Sequence, residues 1–235
     1  MRSLNEYLTT DRRSAIIERS VNNTKPRSVK ELQKIIKQRI IEQGPNCDLN
    51  DIDVSRMKSM SHLFCGSTKG EDKVLTSFNG DISQWDVSNV EDMGWMFCKS
   101  QFNGDISKWD VSKVEDMESM FSCSKFNGDI SKWDVSNVED MEGMFQGSKF
   151  TGDISKWDVS SVENMRNMFR GSQFNGDISE WNVSSLLNMQ CMFYSSKFNG
   201  DISRWNISSK TGPWSMSGMF KNSPLDGNKP SWYKE

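Results

Sequence analysis

A single histidine, His62, stands in this chain, and its five cysteines (Cys47, Cys65, Cys98, Cys123, Cys191) never pair as Cys-x-x-Cys. Zinc sites built from Cys and His therefore lack a ligand set at the usual spacing. Triads and proton shuttles that need an imidazole have one candidate at most. The odd, scattered thiols read as reduced. No stretch approaches the roughly 18 consecutive apolar residues of a membrane-spanning helix. Between Met1 and Ala15, Arg2, Glu6, Asp11, Arg12 and Arg13 interrupt what would have to be an apolar run in a signal peptide. The expectation is a chain with no catalytic centre, metal, cofactor or membrane insertion. It reads as cytoplasmic as written, and as surface-displayed or secreted if a leader is missing.

Large apolar side chains are plentiful: 9 Trp, 13 Phe and 15 Met among 235 residues provide enough area for a core, even though hydrophobic residues reach only 35%. They are also periodic. Phe78, Phe102, Phe126, Phe150, Phe174 and Phe198 recur every 24 residues, as do Trp85, Trp109, Trp133, Trp157, Trp181 and Trp205. Each falls within FNGDISxWDVS or a close variant. A degenerate earlier unit starts at Ile52, placing Ile52 under Trp85, Met60 under Met93 and Phe64 under Phe97. That makes seven units, and the array must stack to bury its apolar faces. Ten residues, Thr68 to Ser77, separate the first two units and read as an extruded loop. Three extra residues near Gly212 and Pro213 interrupt the last.

Within Phe102 to Lys125, Trp109 and Val111 alternate with Lys108, Asp110 and Ser112, the pattern of a strand with one buried face. Val114, Met117, Met120 and Phe121 then follow helical spacing. Ser88 to Glu91, Ser112 to Glu115, Ser136 to Glu139 and Ser160 to Glu163 are S-x-x-E, the spacing of a capping box. Asn103-Gly104-Asp105 and its equivalents read as turns in which Gly permits positive φ. Each unit is expected to be turn, strand and short helix. About seven units at roughly 4.8 Å would extend about 34 Å, with the tryptophans forming an indole ladder.

Charge divides the chain: residues 1–50 carry +4 and residues 51–235 carry −7. In the first segment Ser28 and Glu31 precede Leu32, Ile35, Ile36, Ile40 and Ile41, and Gly44-Pro45 follows, so a helix is expected over 29–43. Shorter helices are expected within 4–21, joined by a turn at 22–27.

The spacing Ile106, Trp109, Val111, Val114 resembles L-x-x-L-x-L, and WDVSNVEDMxxMFxxSxFNGDIS resembles the repeat of the BspA-like leucine-rich repeat surface proteins, with their mycoplasma-type 24-residue units. The likeness runs from Ile52 to about Ser223. Residues 29–64, with the expected strand at Asp48 to Asp53, look like the segment that precedes such arrays. The resemblance implies an α/β leucine-rich-repeat-like solenoid over 47–223, a helical N-terminal cap over 1–46 and a C-terminal cap or tail over 224–235. For function it implies protein recognition, often adhesion or host contact as in virulence.

The expected binding face is the outward side of the strands, where Lys108, Lys132 and Lys156 form one column and Asp110, Asp134 and Asp158 the next. These are either solvated charges pairing across units, each pair contributing about 0–1 kcal/mol, or a flat surface for a protein partner. Trp95, outside the ladder, is the candidate exposed aromatic anchor. One turn Asp per 24 residues supplies too few oxygens for calcium. The basic column Lys30, Lys34 and Lys37 is the only place for nucleic acid, and an array of −7 opposes it. The reading is a non-enzymatic module that binds a protein, such as an intracellular host or immunity factor, as inhibitor or adaptor. A surface adhesin is the alternative.

Overall fold

A computed structural model describes residues 25–66, 73–209 and 211–234. The short helices expected over 4–21 lie outside the described residues. Helix α1, Val29–Gln43, forms as expected. The Ser28 hydroxyl accepts the Glu31 N–H at 3.2 Å, while the Glu31 carboxylate reaches back to the Arg27 N–H at 2.9 Å, one residue beyond a strict capping box. Gly44, at φ 91°, ends the helix and returns its N–H to the Ile40 carbonyl at 2.9 Å. Leu32, Ile36 and Ile40 enter the core, whereas Ile41 points out. Buried Arg39 pairs with Asp51 at the start of the array, joining α1 to the repeats.

The units stack in register. Their cores are columns: Phe97, Phe121, Phe145 and Phe169 lie 5.7–5.9 Å apart ring to ring, nearly parallel. Phe102, Phe126 and Phe150 form a second column at 6.3–6.4 Å. The indoles form a third, and each buried N–H has a partner: Trp109, Trp133, Trp157, Trp181 and Trp205 donate to the Ile carbonyl of the preceding unit at 3.0–3.2 Å. Trp232, set apart from the ladder by its sequence position, continues it. Its ring lies 6.0 Å from Trp205, and its N–H donates to the Ile202 carbonyl at 2.8 Å.

The expected α/β architecture of strand and helix in every unit does not form. Among the described residues the helices are α1, α2 (Lys73–Thr76) and a 3-10 turn at Pro213–Met216, and β pairing is confined to isolated parallel bridges such as Asp92 to Asp116 and Asp116 to Asp140. The expected strand is two turns: Trp109 N–H returns to the Ile106 carbonyl at 3.2 Å, and Val114 N–H to Val111 at 2.9 Å. The alternation of buried Trp109 and Val111 with exposed neighbours comes from turn corners, so no ladder runs there. The segment Asp48 to Asp53, also expected as a strand, is the opening turn of the first unit. There Asp48 bridges Asp81, and Leu49 N–H bonds the Asp81 carbonyl at 2.9 Å.

The expected helix is a chain of turns. Met120, Ser122 and Ser124 N–H groups bond three residues back, while the intervening Met117, Ser119, Phe121 and Cys123 donate to Asp140, Glu142, Met144 and Gln146 of the next unit at 2.7–2.9 Å. A helix would have kept all these donors inside one unit. Ser119 and Cys123 take φ of 52° and 54° at the third turn position, as type II turns require. Ser112 caps nothing; its N–H and hydroxyl bond Asp110 instead.

The glycines of the Asn-Gly-Asp turns do not have positive φ. They are needed for close approach: a Cβ on Gly104 would lie 2.8 Å from the Phe102 ring and 3.1 Å from the Gly80 carbonyl oxygen. In the ten-residue insertion, α2 docks Leu75 in the core, and Thr76 accepts the Gln101 N–H at 2.9 Å.

Candidate functional site

Lys108, Lys132 and Lys156 are exposed and recur at one position of successive units. Each sits at a corner of the Ile-Ser-Lys-Trp turn, where a closing backbone bond and a flanking aspartate fix the main chain. Asp105 Oδ1 accepts the Ser107 N–H at 2.9 Å, and Asp129 and Asp153 repeat this at the next two units. Those amide bonds, with help from the same serine hydroxyls, hold the three carboxyls below the ordinary range. No ion pair among the described residues involves the three lysines, so they do not pair with the aspartates of neighbouring units.

Asp110, Asp134 and Asp158 are exposed as well, but each has structural work. Each Oδ1 accepts the N–H of the serine two residues on at 3.0–3.1 Å. The Ser112 hydroxyl first, then its N–H, lowers the Asp110 pKa, and Ser160 acts on Asp158 in the same order. The lysine column is thus available to a ligand, while the aspartate column is largely committed to the backbone.

Trp95 is half-buried. It has φ 60°, stacks on exposed His62 at 5.7 Å and hydrogen-bonds the Glu118 carboxylate. The strongly exposed aromatic is Trp214, at 87%. It stands in the last unit's insertion, on the rim of an open cavity of about 510 Å³ whose other walls include Lys221, Asp226, Lys229 and Tyr233.

An acidic stripe runs along the array, built from glutamates whose S-x-x-E spacing in the sequence mimics capping boxes. Glu91, Glu115, Glu139 and Glu163 are exposed in one column, with half-buried Asp92, Asp116 and Asp140 beside them. Asp116 lies between two like charges. Burial raises its pKa first of all, and the Asp92 and Asp140 charges add to this against the lowering bond from the Glu118 N–H. Burial likewise raises Glu118. The signal that marks the stripe is Val-Glu-Asp-Met at the 24-residue period. Among the described residues no His, Cys, Asp and Glu cluster is arranged to hold a metal ion. No described helix is long and apolar enough to cross a membrane.

Stacked 24-residue units with internal ring columns define a repeat protein. The chain belongs to the family described as "Mycoplasma protein of unknown function, DUF285", whose profile matches residues 17–149 and again 122–232. No curated protein and no solved structure gives a match.

Proposed function

We propose that the chain is a non-enzymatic protein-recognition module that presents Lys108, Lys132 and Lys156 as a spaced cationic row to an acidic surface of a partner protein. The observation behind this reading is the row itself: three exposed like charges on turn corners with no ion pair to any described residue. Neighbouring units about 4.8 Å apart keep the spacing regular, and turns locked by their own hydrogen bonds lose little freedom on binding. The partner is an intracellular host or immunity factor, bound in the manner of an inhibitor or adaptor. The resemblance to BspA-like surface proteins supports an adhesin as the second reading, with the same row facing a host protein outside the cell.

Affinity capture tests the reading. The native chain is compared with a triple variant, Lys108→Glu, Lys132→Glu and Lys156→Glu, which keeps the aspartates and serines whose hydrogen bonds hold the turns. A partner held by the native chain and lost by the variant supports the row as the contact. Equal retention by both overturns it. Recovery from a host surface extract and not from cytosol favours the adhesin.

A further inference from the structure

Cys65 and Cys98 occupy the same position in adjacent units, each directly after an inward phenylalanine, Phe64 and Phe97. Backbone bonds on both sides set their register: Phe64 N–H to the Met96 carbonyl at 2.8 Å, and Gly66 N–H to the Cys98 carbonyl at 3.1 Å. Chains paired in this way stand about 4.8 Å apart, inside the roughly 4.4–6.8 Å Cα separation that a disulfide spans. Both thiols are free. Cys98 is buried and Cys65 half-exposed, with the Cys65 Sγ 3.9 Å from the Gly66 carbonyl oxygen.

We propose that Cys65 and Cys98 form a redox-active dithiol that reacts with small disulfides of the glutathione class, Cys65 as the attacking thiolate and Cys98 as the resolving thiol. The Cys65 thiolate, its proton gone to solvent, attacks one sulfur of the small disulfide. A mixed disulfide forms and the first small thiolate leaves. Cys98 then gives its proton to that thiolate and attacks the Cys65 sulfur, expelling the second small thiolate. One small disulfide is reduced to two thiols, and the Cys65–Cys98 bond carries the matching two-electron oxidation.

The surroundings divide the roles. The hydrogen bond from Cys98, assisted by His62 and the Lys99 charge, pulls the Cys65 thiol down to about 6 despite burial. The same bond and burial push Cys98 up, with Cys123 nearby adding to this. Closure ties the first unit to the second across the insertion that separates them.

Iodoacetamide labelling at pH 6.5 tests the thiolate in the full native chain. At that pH the thiolate fraction rises about 200-fold over a thiol at the ordinary value of 9.0, and the lower basicity returns about 20-fold, leaving about tenfold. Cys65 should therefore label about tenfold faster in the folded chain than in urea. With oxidised glutathione, peptide mapping should find the 65–98 disulfide. Cys98→Ser should instead accumulate glutathione on Cys65, and Cys65→Ser should leave Cys98 reduced. Slower labelling of Cys65 when folded, first reaction at Cys123 or Cys191, or pairing of Cys98 with Cys123 would overturn the assignment.

Discussion

Replacing Asp116 with Asn should stabilise this protein. Asp116 bridges Asp92 on one side and Asp140 on the other, so three carboxylates stack at the unit spacing. Its Oδ1 accepts the Glu118 N–H at 2.7 Å, a bond an amide oxygen preserves. The chain already holds the alternative two units on: Asn164 donates its Nδ2 to Asp140 Oδ2 at 3.0 Å and to Glu142 Oε2 at 3.2 Å. Two unit charges 4 Å apart repel by about 1 kcal/mol in water and about 4 kcal/mol in a surface-like medium. At about 4.8 Å and half-buried, with screening, each neighbour costs about 0.5–1 kcal/mol. The gain at pH 7.5 is therefore about 1–2 kcal/mol, read from urea unfolding. The folded pKa of Asp116 is raised. The penalty on the native protein is thus fully present above that raised value and disappears below the ordinary carboxylate pKa. The advantage of Asp116→Asn should shrink as pH falls toward 4. No gain at pH 7.5, or an equal gain at both pH values, would refute the reasoning.

Gly171 has φ +65° with open space around its absent Cβ, so Gly171→Ala should cost about 1 kcal/mol purely through conformation, and Gly171→Asn less, as the urea midpoints will show. Trp133→Phe removes the 3.1 Å bond to the Ile106 carbonyl, which keeps the Trp109 N–H, and shrinks a buried ring. A loss of about 2–3 kcal/mol in urea unfolding is expected. The turn aspartates Asp105, Asp129 and Asp153 have lowered folded pKa values, so their contribution exists above the ordinary carboxylate range and is lost as pH falls through the folded values. Asp105→Asn keeps the turn acceptor, so its urea midpoint should fall less than that of the native chain between pH 4 and pH 2.

The period was legible because it is written in bulky residues whose burial depends only on register. Phe102 must lie over Phe78 and Trp109 over Trp85 whatever backbone carries them. The same logic hid Trp232, which joins the indole column from a tail where no 24-residue spacing points to it. Gly104 was legible as necessary but for the wrong reason. Its neighbour across the gap is a ring two residues back and a carbonyl one unit away, and neither contact is local enough to read from a dipeptide. The lysine row was visible in the sequence, but the commitment of Asp110 and Asp134 to the amides of their own serines was not, because it is set by the local turn geometry.

The interior of the unit was misread at the point where periods of 3 and 3.6 are hardest to separate. Val114, Met117 and Met120 step by three, which a helix tolerates over one turn and a run of three-residue turns requires. What separates the two is the column between the methionines. Its members are His62, Trp95, Ser119, Gly143, Asn167, Cys191 and Gly218, all at positive φ between 52° and 68°. A helix interior disfavours Gly and Asn at a fixed position, whereas the third place of a type II turn favours both. A second column four residues on, with Lys99, Cys123, Gly147, Gly171, Ser195 and Asn222, repeats the preference at φ 52–65°. Two left-handed positions per unit free alternate amide groups to point along the stack. The backbone bonds that a helix would keep to itself therefore become the bonds that join one unit to the next.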